Sequence, residues 1–151
     1  MTIVTTMTPA HLDAVHAIEC LSFSDPWPKE DILNEINREN AICLVALTNN
    51  VLSGFITARQ VADEGHICNL AVHEDFRQKG AGSALLTALE KEAKARKLVG
   101  LTLEVRIGNR AAMALYHKHG FKVEGYRKGF YRYPTEDAAI MWKYFDPEVH
   151  R

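Results

Sequence analysis

The sequence predicts an α/β or α+β fold, a β-sheet covered by helices. Three observations carry this. Strand-like apolar segments are interleaved with segments whose apolar residues recur every three or four positions. Turn-forming residues stand at the joints, at Ser24–Pro28, Asn49-Asn50, Asp63-Glu64-Gly65, Gly100 and Gly120. The chain has 151 residues, 47% hydrophobic and 25% charged, which suits one domain with its own core. No repeat, linker or low-complexity tract divides it, so residues 1–151 are read as a single domain.

The first strand is Ile3–Met7, short and rich in β-branched residues. Thr8-Pro9 then supplies a helix N-cap and first position. Leu12, Val15, Ile18 and Leu21 form the apolar face of that helix, which ends in the Ser24–Pro28 break. Lys29–Arg38 reads as a second helix with Ile32, Leu33 and Ile36 inward. Strands Ala41–Leu47 and Val51–Ala58 join at Asn49-Asn50, since Asn tolerates the positive φ of a tight hairpin. Asp63-Glu64-Gly65 turns into a strand at His66–Val72. Gly80–Lys97 is the clearest helix, with Leu85, Leu86, Leu89 and Ala93 on one side and Lys91, Glu92, Lys94 and Lys97 on the other. Gly100 closes it, and strand Leu101–Arg106 follows. Asn109 caps a helix that stops at Gly120. Phe121–Tyr126 and Ala138–Tyr144 are the last strands, separated by a long aromatic and basic loop.

Charge and cysteine content exclude several classes. There are 18 Lys and Arg against 19 Asp and Glu, a net charge of −1, without the basic excess of a dedicated nucleic-acid binder. No direct nucleic-acid binding is expected. Cys20, Cys43 and Cys68 are odd in number and widely spaced, with no CxxC, so neither a disulfide framework nor a zinc site is expected. They lie in apolar segments and read as buried thiols. The longest strictly apolar run, Ala41–Leu47, falls far short of the roughly 20 residues that span a bilayer. The start of the chain lacks the basic and apolar regions of a secretory signal. The expectation is a cytoplasmic protein without membrane contact.

Three segments carry chemistry. Arg77-Gln78-Lys79-Gly80-Ala81-Gly82-Ser83 lies between a strand and a helix. Its glycines let a ligand approach the backbone, and the free N–H groups of a helix start favour an anion, above all a phosphate. It is neither a Walker A loop nor a dinucleotide fingerprint, and alone it also reads as an ordinary turn. In Leu101–Arg106, Leu101, Leu103 and Val105 share one face, and Thr102, Glu104 and Arg106 share the other. A carboxylate on a central strand implies a cleft or a partner, the plainer alternative being a Glu104–Arg106 pair. In Asn109–Phe121, Tyr116 is either core or the wall of a cleft shared with Glu104.

In this order and at these spacings the segments resemble the GNAT family of acetyl-CoA-dependent N-acetyltransferases. Asn69–Val72 followed by Arg77–Gly82 is similar to its pyrophosphate motif, and Asn109–Phe121 to its NxxAxxLYxxxGF element. A narrower resemblance rests on Phe23–Pro28, Leu103–Arg106 and Tyr131 with Glu136–Met141. These resemble the ribosomal-protein-alanine N-acetyltransferases, although Thr135 stands where those usually have Gly.

The resemblance implies a mixed, mostly antiparallel twisted sheet with two splayed parallel central strands, Cys68–Val72 and Leu101–Arg106, and helices on both faces. It implies acetyl-CoA as cosubstrate and no metal. The pantetheine arm would pair with Leu70, Ala71 and Val72. The pyrophosphate would sit on the loop from Arg77 through Gln78, Lys79, Gly80, Ala81 and Gly82 to Ser83, with Asn109 nearby. Trp27, Tyr131, Glu136 and Asp137 would bind the N-terminal peptide of a ribosomal protein. Glu104 would be the general base and Tyr116 the acid that protonates the departing thiolate. A backbone N–H near Val72 would face the oxyanion. An α-amine near pH 8 and a free carboxyl near 4.3 differ by roughly 5 kcal/mol, so Glu104 needs desolvation or a water relay.

Rival readings are a GNAT enzyme for a small amine, aminoglycoside or polyamine, and a non-catalytic acetyl-CoA sensor. The presence of both Glu104 and Tyr116 speaks against the sensor, and Trp27 with Glu136-Asp137 leans toward a peptide. His117 and His119 point to different helix faces and form no metal pair. Arg127, Lys128 and Arg132 read as a solvated face. The expected state is a monomer or weak dimer.

Overall fold

A computed structural model describes residues 1–146. Thirteen elements follow one another among them. Strand β1 (Thr2–Thr6) leads through a 3-10 turn, Pro9–His11, into α1 (Leu12–Ser22) and α2 (Lys29–Ile36). The antiparallel strands β2 (Ala41–Thr48), β3 (Val51–Val61) and β4 (Glu64–Val72) follow. A second 3-10 turn, Glu74–Phe76, precedes α3 (Ala81–Ala95), β5 (Gly100–Arg106) and α4 (Arg110–Lys118). The chain then forms β6 (Lys122–Tyr131) and β7 (Glu136–Tyr144). The strands make one sheet in the order β1-β2-β3-β4-β5-β7-β6, antiparallel except at β4–β5. The mixed sheet, with its single parallel pair at the centre, is the predicted fold class.

Each face has its own core. On one side Leu85, Leu86, Leu89 and Ala93 of α3, with Tyr116 of α4, cover Ile42, Ile56, Ile67, Leu101 and Leu103. On the other, Val15, Ile18 and Ile32 of α1 and α2 cover Val45, Phe55 and Ala71. The alternation along β5 is strict. Leu101, Leu103 and Val105 enter the first core, so Glu104 points to the opposite side, beyond the cover of α1 and α2.

Several boundaries differ from the expectation. Leu21, expected inward, is 70% exposed, because the last turn of α1 overhangs the rim beside Val72 and His73. The Asn49-Asn50 hairpin forms with φ of 51° and 68° as expected. The following turn sits at Ala62-Asp63, earlier than expected, with Ala62 at φ 54°. Helix α3 ends with Lys97 at φ 63°, and Gly100 opens β5 instead of closing the helix. The largest difference is β6, which continues to Tyr131 and leaves only Arg132–Thr135 as the loop. As an edge strand, β6 is wet on both faces through Tyr126–Phe130 and lacks the apolar alternation that marks a strand in sequence. The cysteines also divide: Cys43 is buried, Cys68 half-buried and Cys20 exposed, since position 20 lies on the outer face of α1. No helix among the described residues is long and apolar enough to cross a membrane.

Candidate active site

The parallel pairing of β4 with β5 lasts only three registers, from Glu64↔Gly100 to His66↔Thr102. Beyond it the strands diverge. The register between β3 and β4 shifts at Thr57/Ala58, so that Cys68 is an extra residue on β4. Such a bulge bends its strand and re-aims the residues that follow. The edge of β4 that faces β5 from Ile67 onward therefore carries backbone groups with no strand partner there.

A cavity of about 460 Å³ fills the opening. Its walls are Ile67–Leu70 of β4, Leu103–Arg106 of β5, the α1–α2 connection through Trp27, Asn109, Ala112 and Tyr116 around α4, and Phe130–Arg132. Glu104 and Tyr116, adjacent to nothing in common in sequence, thus face one space. Trp27, Tyr131, Leu70 and Asn109 line it too.

The two candidate catalytic side chains are held differently. Tyr116 is 6% exposed and meets Phe121 edge-on at 5.5 Å between ring centroids. Burial, with Tyr131 nearby, pushes its phenol above the ordinary tyrosine range. Its hydroxyl accordingly keeps its proton at working pH. Glu104 does not pair with Arg106. Its Oε1 lies 2.7 Å from Nε2 of His66, across the last paired register of β4 and β5. Arg106 instead bonds Glu136 at 3.2 Å and the carbonyls of Arg132 and Pro134 at 2.8 Å, while its guanidinium covers the Tyr131 ring at 4.5 Å.

Glu136 and Asp137, expected to bind substrate, lie outside the cavity lining. Glu136 Oε2 accepts the Gly108 N–H at 2.7 Å, and Asp137 Oδ1 accepts the Gly129 N–H at 2.8 Å. Both carboxylates tie down the β6–β7 hairpin end that carries Tyr131 and Arg132 to the rim. Asn109 accepts the Ala112 N–H at 3.2 Å, the cap expected of it.

The glycine loop lies at the N-terminus of α3. Gly80 has φ 88°, and a Cβ there would meet nothing within 4 Å, so the space in front of the turn is open. The first helical bond runs from Ala84 N–H to Gly80 O, leaving the N–H groups of Ala81, Gly82 and Ser83 ahead of it without helical partners. Arg77 and Lys79 precede them in the loop; the Arg77 guanidinium donates to the Val72 carbonyl at 3.3 Å and the Lys79 ammonium lies over the Phe76 ring. The Ser83 hydroxyl is engaged with His119 at 3.0 Å, so Ser83 has only its amide to offer. Gly82 has a second role, because its Cβ would stand 3.0 Å from the Leu115 side chain of α4. An elongated ligand with an anionic end fits this geometry: unpaired strand edge, cavity, then helix N-terminus.

Sequence reasoning passed over Glu19, which is 1% exposed. Its two oxygens accept the Trp27 backbone N–H at 3.0 Å and the Asn69 amide at 2.7 Å, joining the α1–α2 connection to β4 at the cavity wall. A charged residue on the inner stripe of α1, in register with Val15 and Ile18, was the available signal. Burial raises its titration above the ordinary carboxylate range, against the opposing pull of the Trp27 and Asn69 bonds. The native state then holds the proton where the unfolded chain has released it. Its contribution to stability is complete below the unfolded value and is lost as pH rises through the folded one. Glu19→Ala strands both donors and opens a cavity, so a loss of roughly 2–4 kcal/mol in chemical denaturation is expected. Glu19→Gln keeps the contacts, with Asn69 turning its amide to accept, and should flatten the acid-range dependence of Tm.

His66 was also missed; as an isolated strand histidine it carries no pattern. Burial pushes the thiols of Cys43 and Cys68 up to about 12 and about 11, so neither is a thiolate nucleophile. Among the described residues no group of His, Cys, Asp and Glu has the arrangement of a metal site.

The profile of the acetyltransferase (GNAT) family matches residues 12–121. The chain is 33% identical over 145 residues to the ribosomal protein bS18-alanine N-acetyltransferase of Salmonella typhimurium, covering 93% of this chain and 96% of that one. The crystal structure of the ribosomal-protein-S18-alanine N-acetyltransferase from Escherichia coli superposes with a TM-score of 0.87 at 31% identity, covering 95% and 94% of the two chains. An N-alpha-acetyltransferase of Saccharolobus solfataricus is 29% identical over 143 residues, covering 86% and 85%.

Proposed function

The chain belongs to the acetyltransferase (GNAT) family, and from that premise we propose that it acetylates the N-terminal α-amine, alanine above all, of a ribosomal protein. It is an acyltransferase whose cosubstrate is acetyl-CoA. The observation that carries the reading is the meeting of Glu104 and Tyr116 on one cavity between the diverging strands. The names of its relatives and the nearly full-length match to them support the same substrate.

Acetyl-CoA supplies an activated thioester when bound. The unpaired edge of β4 at Leu70, Ala71 and Val72 receives its arm, and the amides at Gln78–Ser83 receive its phosphates, with Arg77 and Lys79 beside them. Trp27 and Tyr131 flank the entering peptide, and Arg106, Glu136 and Asp137 hold the Tyr131 loop in place. Two carboxylates on the cavity, Asp25 and Glu104, suit a cationic amine. Glu104 takes a proton from the amine, directly or through water, so that the nitrogen can attack the thioester carbonyl. Tyr116 gives its hydroxyl proton to the leaving sulfur. The amine loses two protons: one leaves through Glu104, and the other restores the hydroxyl of Tyr116, whose own proton is now on the thiol. The protein is proposed to act in the cytoplasm as a monomer or weak dimer, without direct contact to nucleic acid.

The test is incubation with acetyl-CoA and a panel of N-terminal peptides, lysine peptides, aminoglycosides and polyamines, read by intact mass. Acetylation at the α-amine of alanine-initiated ribosomal peptides is expected. Preference for a lysine ε-amine or a small amine would overturn it. A second expectation concerns the glycine loop. Gly82→Val crowds both the anion cradle and Leu115, so calorimetry should show acetyl-CoA binding weakened by at least about tenfold, with a stability loss of roughly 1–3 kcal/mol. Unchanged affinity would remove the loop from the cosubstrate site.

A further inference from the structure

We propose that His66 is a positioning residue for Glu104, which orients the carboxylate while its ring is neutral and disarms it when the ring is protonated. The inference rests on Glu104 being the base, as argued above.

The geometry is specific. Nε2 of His66 stands 2.7 Å from Oε1 of Glu104, a separation that requires a proton between them. An ionised carboxylate only accepts, so Nε2 carries the hydrogen and donates it. That bond occupies Oε1 and leaves Oε2 to accept from the substrate amine. His66 stands in the last register where β4 and β5 still pair, His66↔Thr102, and Glu104 lies two residues beyond Thr102 on the same face of β5, so the bond spans the point where the strands begin to diverge. His66 is not among the residues lining the cavity, and its side chain is 38% exposed against 15% for Glu104. It is bonded to the base from outside the cavity lining.

Protonation of the ring on Nδ1 changes the pair from a neutral donor on a carboxylate to an imidazolium–carboxylate ion pair. A cation at this distance stabilises the ionised carboxylate and lowers its affinity for the amine proton. The other groups facing His66 do not provide a competing partner. Cys68 Sγ lies 4.0 Å from Nδ1 and its thiol is held protonated by burial. Arg59, its register neighbour on β3, is committed to Glu35 at 2.6 Å. On the far side of Glu104, Tyr131 is held protonated by burial, and Arg106 is bound to Glu136.

The experiment measures kcat against pH, with saturating acetyl-CoA and an alanine-initiated peptide, for the wild type, His66→Gln, His66→Leu and Glu104→Gln. Gln places a donor where Nε2 stands but takes up no charge. His66→Gln should keep kcat within about threefold at alkaline pH, and the midpoint of its acid limb should move down by at least about half a pH unit, because the ring whose protonation disarms the base is gone. His66→Leu removes the donor, and kcat should fall on the order of tenfold at every pH, with acetyl-CoA affinity unchanged in calorimetry. An acid limb of His66→Gln coincident with the wild type, or a wild-type kcat in His66→Leu, overturns the proposal. If Glu104→Gln is inactive while both His66 variants match the wild type, the His66 proposal alone fails. If Glu104→Gln keeps full activity, the assignment of the base fails as well.

Discussion

Tyr116→Phe is expected to lower kcat by roughly 10²–10⁴-fold, the usual cost of losing a positioned proton donor. The substitution removes one oxygen and leaves the edge-on packing against Phe121 intact. No hydrogen bond from another described residue engages that hydroxyl, and the side chain faces the cavity. Stability should therefore hold, with Tm within about 2 °C of the wild type, and the KM for acetyl-CoA should change little. Because burial holds the phenol above its ordinary range, no alkaline loss of activity from its ionisation is expected at working pH. Steady-state kinetics with a thermal melt decide the matter. A variant with wild-type kcat would return Tyr116 to the core as plain packing.

Glu104→Gln should remove most of the activity at pH 7 while acetyl-CoA affinity stays intact. A Gln oxygen still accepts the His66 hydrogen bond, so the shape of the site survives and only proton acceptance is lost. The loss should be of general-base size, roughly 10²-fold or more. Part of the rate should return at alkaline pH, where the peptide amine arrives already neutral. A flat pH profile at wild-type rate would place the deprotonation elsewhere. The two variants also separate roles: the Glu104→Gln defect should recover with pH, and the Tyr116→Phe defect should not.

Much of this architecture is legible in the chain because it is local. The period of α3 follows from Leu85, Leu86, Leu89 and Ala93, all buried as read. Asn49 and Asn50 announce a tight turn because few other residues tolerate two successive positive φ values. Glu104 stands out because a carboxylate occupies the second face of a central strand, where an apolar side chain is expected. The ordered motifs around Gly80, Gly82, Asn109 and Tyr116 carry the resemblance to acetyl-CoA-dependent N-acetyltransferases. Edge strand β6 was truncated in that reading for the complementary reason, since a strand wet on both sides carries no apolar period.

What surrounds those residues was decided only in three dimensions. Arg106 is two residues from Glu104 and shares its face, yet it turns to Glu136 and the loop carbonyls, while Glu104 takes His66 from a strand 38 positions earlier. Glu19 reaches Asn69 across 50 positions and so fixes the wall on which Trp27 stands. The position of the cavity depends on one extra residue, Cys68, that bends β4 away from β5. By itself the sequence determined most of the elements and their apolar faces, since propensity, capping and period act over a few neighbours. The tertiary structure alone decided who partners whom, because strand register and the divergence of β4 from β5 arise from packing the whole sheet, and a charged side chain takes whichever partner that packing brings within hydrogen-bond reach.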